Sequence, residues 1–141
     1  IPTKAGFIYR EDLFEKIVDQ VNYRNANGTM YGWIVVPDPE IDPEDWEGRY
    51  KAEKERQEMM TQLSHASHKI LSAWIDNSGK HPSLRISIEC LSTDNGIILS
   101  RIIEEHGCSF ALRGHGRFES GSIIINADDY QLISIDALPN T

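Results

Sequence analysis

Cysteine is scarce in this chain: Cys90 and Cys108 are the only two, and they form no Cys-x-x-Cys spacing. That argues against a bridge or a metal site, and because both lie in apolar strand-like runs they read as buried free thiols. Long apolar runs are absent as well. No stretch approaches the roughly 18 apolar residues that a membrane span requires. Positive charge is in deficit, with 14 Lys and Arg against 22 Asp and Glu, a formal net charge of −8. A phosphate-binding surface needs clustered Lys and Arg, so the balance argues against nucleic acid as a partner. There is no repeat, no low-complexity tract and no signal-peptide pattern. What is present is ordinary for a globular domain: 141 residues, 40% hydrophobic and 26% charged, enough for one core. The start at Ile1 reads as a processed or trimmed piece of a longer product.

Hydrophobic spacing divides this single domain into recognisable pieces. Residues 10–23 predict an amphipathic helix, with Leu13, Phe14, Ile17, Val18 and Val21 on one face. Residues 30–36 predict a short apolar strand stopped by Pro37. Residues 39–64 form a charged helical excursion, with Asp42 and Pro43 as an N-cap and first-turn pair and only a patchy apolar stripe of Trp46, Tyr50, Met59, Met60 and Leu63. Sheet patterning begins near Ala66: residues 67–75 and 84–91 read as strands, the second alternating cleanly. A turn at 93–96 leads into a helix over 97–106 with Gly107 as its C′ residue. Strands are expected at 108–112, 123–125 and 130–136. The class is α+β, with a mainly antiparallel curled sheet or barrel and flanking helices.

The stretch Phe110-Ala111-Leu112-Arg113-Gly114-His115-Gly116 has the texture of an active-site loop with no nucleophile. A short apolar strand leads in and an Arg-Gly-x-Gly turn leads out. Upstream lie Gly32-Trp33-Ile34-Val35-Val36-Pro37, then Ser67-His68-Lys69-Ile70 and Trp74, then a strand, Thr93 to Gly96 and a helix, and near the end Ile135-Asp136-Ala137. In this order the chain resembles the tailed-phage prohead proteases, the capsid-maturation enzymes that share the herpesvirus-assemblin serine protease fold. The likeness runs from about residue 6 to 138 and rests on the ordered set rather than on any one motif.

The resemblance implies an assemblin-like fold and three vestigial catalytic positions: Ala111 where the nucleophilic serine would stand, Val36 where the general base would stand, and Asp136 as third member. Arg113 and Gly114 would frame the oxyanion side. A methyl group cannot attack a carbonyl, and a serine protease needs a base to take the hydroxyl proton. His68 and His65 are the alternative bases. The implied role is that of a virion or prohead protein, assembled in the host cytoplasm, that no longer cuts. Its partners would be capsid, scaffold, portal or neck proteins or further copies of itself, with Trp46 as a docking anchor. The alternative is an active maturation peptidase carrying a Ser-to-Ala change at position 111. No cofactor or metal is implied. His65 and His68, three apart at a strand start, do not make a ligand pair. Ser92, Ser109 and Ser120 lack a nucleophile's setting, and Asn95-Gly96 reads as a plain turn rather than a phosphate loop. Trp33 and Trp74 read as core or interface aromatics.

Overall fold

The structure, a computed structural model, describes residues 11–36, 40–117 and 126–140. The element order is α1 (Glu11–Ala26), β1 (Met30–Gly32), α2 (Trp46–Thr61), a 3-10 turn (Leu63–His65), β2 (His68–Asp76), β3 (Ser83–Cys90), α3 (Asp94–Glu105), β4 (Cys108–His115), a second 3-10 turn (Ala127–Asp129) and β5 (Gln131–Pro139). The fold is α+β. The strands form a three-stranded sheet in the order β1-β2-β3 and a two-stranded sheet of β4 and β5, both antiparallel. An isolated parallel bridge between Ile34 and Ala137 continues the line of β1 alongside β5. Among the described residues there is no closed barrel. The strand expected at 123–125 lies outside the described residues. No described helix is long and apolar enough to cross a membrane.

The chain gathers into two compact units, and all five described strands have residues in both. The first contains α1, Lys69–Glu89 and the described part of Leu112–Ile135. In it α1 buries Leu13, Phe14, Ile17 and Val21, the face its periodicity predicts. Its polar face is not idle. The Gln20 amide donates to the Tyr130 carbonyl at 2.8 Å and accepts from Leu132 N at 2.7 Å, so one side chain serves the β5 backbone as a neighbouring strand would. Arg24 adds bonds to the carbonyls of Leu132 and Ile133, and Asn25 one to that of Leu71. The β2–β3 turn is closed by Asp76, which accepts from Ser78 N and Oγ at 2.9 and 2.6 Å. Those bonds, with Arg85 adding a smaller attraction, hold the Asp76 carboxyl below its ordinary value.

The second unit contains the described parts of Tyr31–His68, Cys90–Ala111 and Asp136–Thr141. Helix α2 begins later than the sequence suggests. Asp45 is its N-cap, accepting from Gly48 N at 3.0 Å, while Asp42 closes the preceding turn by accepting from Glu44 N. Two acidic residues compete there, and the cap goes to the one whose carboxylate reaches a third-position amide. Helix α3 begins earlier than expected, because Thr93 caps it: the hydroxyl accepts from Gly96 N at 3.1 Å and donates to the Ala66 carbonyl at 2.9 Å. Residues 93–96 are thus a cap and first turn. Gly107 stands at φ +75° past the end of α3, as a C′ glycine should.

Gly96 is buried against the Leu91 backbone, and a Cβ there would overlap the Leu91 carbonyl group. Backbone cannot swing aside as a side-chain tip can. Gly96→Ala is therefore expected to lower stability by about 1–3 kcal/mol, or more if the cap is lost with it. A denaturant melt against the parent chain reads this directly, and an unchanged midpoint would contradict the packing described.

Candidate functional site

Position 111 lies in the middle of β4. The antiparallel ladder is anchored where Asn140 N donates to the Gly107 carbonyl at 3.3 Å. Counting from that anchor brings Ala111 level with Asp136 of β5. Ala111 is partly buried, and Asp136 is 1% exposed.

Asp136 is held by an unusual donor. The Trp33 backbone N–H, at the place where β1 gives out, donates to Asp136 Oδ1 at 3.1 Å. The same peptide's other end, the Gly32 carbonyl, accepts from Ser67 N at 2.9 Å. One peptide group thus ties the Asp136 carboxylate on one side and the start of β2 on the other. The chain leaves regular strand at Trp33 because its amide goes to a side chain. Pairing then resumes in parallel, with Ala137 N donating to the Trp33 carbonyl and Val35 N to that of Ala137, each at 2.8 Å. The Trp33 indole is buried, its Nε1 bonded to the Gln62 carbonyl at 2.9 Å.

Beside that peptide stand Ser67 and His68, both with no exposed surface. Adjacent strand residues point to opposite faces, so burying both requires cover on each side. Ser67 Oγ lies 2.7 Å from His68 Nδ1 and 3.5 Å from the Gly32 carbonyl. No buried side-chain nitrogen or oxygen among the described residues lacks a hydrogen-bond partner, so both ring nitrogens of His68 are engaged. If Nδ1 carries the proton, it donates to Ser67 Oγ, whose own proton turns to the Gly32 carbonyl, and Nε2 becomes the basic nitrogen. The ring also packs edge-on against Phe110, centroids 5.6 Å apart at 75°. Phe110 is the residue before Ala111 in β4.

The other expected positions fall as follows. Val36, where the resemblance puts the base, follows the segment that runs beside Ala137, and its carbonyl accepts from Arg56 Nε at 2.8 Å. His65 sits in the first 3-10 turn, its carbonyl taken by Asn95 Nδ2 at 2.8 Å. Trp46 opens α2 and is 78% exposed. Arg113 and Gly114 belong to the first unit, where Arg113 Nε donates to the fully buried Ser134 Oγ at 2.9 Å. Both lie within β4, which continues to His115, so the expected Arg-Gly turn is strand instead. Gly114 is there for space: a Cβ would strike the Gln131 carbonyl and the Tyr130 ring. Trp74 is 46% exposed, not core. Both thiols are partly buried, and burial pushes each above its ordinary pKa, so they stay protonated at neutral pH.

Sequence reasoning did not single out Ser67 or the Gly32–Trp33 peptide. The legible signal was the Ser-His pair at a strand start: two polar residues where a buried strand was expected. No protein family, curated protein or solved structure matches the chain.

Proposed function

We propose that this chain is a phage virion- or prohead-associated protein with the prohead-protease fold that does not cut, and that it serves as a structural or assembly component of the head or neck. The observation that carries the reading is the gathering of Asp136, Ser67 and His68 around one peptide, level with a position 111 that offers only a methyl. A buried carboxylate and a buried imidazole are costly to desolvate, and they suit a site whose nucleophile has been lost. On this reading His68, rather than the Val36 position, is the residue in the base's place. The assemblin-like topology is part of the proposal. The same burial of His68 favours a second reading, an active maturation serine peptidase carrying a Ser-to-Ala change at 111.

The partners proposed are capsid, scaffold, portal or neck proteins, met through Trp46 on α2. Trp46 and Tyr50 stand one helical turn apart and are 78% and 74% exposed. Towards the helix's other end Met60 is buried and Arg56 reaches the Val36 carbonyl, so α2 is anchored at one end and bare at the other. Trp46→Ala is expected to weaken binding to virion proteins by about 30-fold or more, as loss of an interface Trp worth roughly 2 kcal/mol would. The thermal melt should not change, because the indole is solvated. Pull-down from infected-cell extract with parent and variant chains checks it, and equal recovery of head proteins would remove Trp46 from the surface.

A further inference from the structure

Helix α3 carries an apolar stripe on its outward face. Ile97 and Ile98 are 49% and 48% exposed, while Gly96 and Leu99 of the same helix are buried. At 100° per residue the outward stripe reads Asp94, Ile97, Ile98, Arg101, Glu104 and Glu105. All six are exposed. Two adjacent bare isoleucines on a well-capped helix are not explained by the core, nor by the cluster at Asp136.

The charges around them are ordered in a way that suits one occupant. We infer that this face docks against the same face of a second copy of the chain, helix against antiparallel helix, about a two-fold axis between Ile97 and Ile98. In that register Ile97 meets the partner's Ile98, so four isoleucines close the centre. Asp94 faces the partner's Arg101, and Arg101 the partner's Asp94. Glu104 and Glu105 approach the N-terminal end of the partner helix, where the macrodipole and the unsatisfied amides are positive. A two-fold interface must complement itself, and this stripe does so with opposite charges at equal distances from its centre. An axis at the middle of the helix would instead set Asp94 against the partner's Glu105. The contact is smaller than the ~800 Å² per partner of a standard interface, so the dimer forms and parts with concentration. This inference rests on α3 alone and stands or falls apart from the reading of position 111.

Sedimentation equilibrium of the chain across a concentration series tests it, with the expected result a reversible monomer–dimer equilibrium. Ile97→Lys and Ile98→Lys should each weaken association by about tenfold or more, and Arg101→Glu by several-fold. The double variant Asp94→Lys, Arg101→Glu should recover association relative to either single variant. Circular dichroism melts of every variant confirm that α3 is intact, the positions being solvent-facing. A chain that stays monomeric throughout the series, or a dimer that none of these substitutions weakens, would overturn the assignment, as would a charge swap that fails to recover.

Discussion

Ala111→Ser is expected to give the chain measurable endopeptidase activity on capsid scaffold peptides, where the parent has none. An unassisted serine hydroxyl is a weak nucleophile, and a positioned proton acceptor contributes about 10²–10⁴-fold. On the proposed reading the acceptor is His68, edge-on to Phe110 and bonded through Nδ1 to Ser67. His68→Ala in the Ala111→Ser background should therefore remove the gain, while His65→Ala should leave it, because His65 is held in the 3-10 turn by its backbone. Adding Val36→His should contribute nothing further. Initial rates on a fluorogenic scaffold peptide decide among these. No turnover in Ala111→Ser, with turnover on adding Val36→His, would return the base to position 36 and take His68 out of the site.

Loss of the Asp136 carboxylate should be the most destabilising polar change in the second unit. Asp136→Ala leaves the buried Trp33 N–H without its acceptor and opens a gap where the carboxylate stood. An unsatisfied buried donor costs about 1–3 kcal/mol before the gap is counted. The neighbouring pairing of Trp33 and Val35 with Ala137 would loosen with it. Asp136→Asn keeps an oxygen for Trp33 and should lie closer to the parent in a urea melt. If Asp136 is the third member, as proposed, Asp136→Asn should remain slow in the Ala111→Ser background, because an amide cannot stabilise a charged imidazole as a carboxylate does. Equal melts for Asp136→Ala and the parent would show that the Trp33–Asp136 bond is not structural.

Much of the scaffold was legible in the sequence because its causes are local. The apolar face of α1 follows from 3.6-residue spacing, and β3 from strict alternation. Gly107 announced the end of α3 because a C′ residue wants a positive φ that side chains resist. Net charge, the absence of a span and the α+β class needed nothing beyond composition and period. The misplacements were local as well: Asp42 and Asp45 are equally good caps on paper, and Thr93-Asp94-Asn95-Gly96 reads as a turn until a helix is seen to start in it.

The site was of another kind. Sequence named His68 and Asp136 but not the bonds that bring Asp136 and Ser67 to the Gly32–Trp33 peptide. That peptide gives its N–H to a residue more than a hundred positions away and its carbonyl to one 35 away. No periodicity encodes such a meeting. Nor could alternation foretell that Ser67 and His68 are buried together, or that Gly114 is required by the nearness of Tyr130 and Gln131 rather than by a turn. The sequence determined where helices and strands form, because dihedral preference and burial of one face are decided over a few residues. Tertiary structure alone decided that the Asp136 carboxylate and Ser67 share one peptide, because buried polar groups must find partners wherever the fold supplies them.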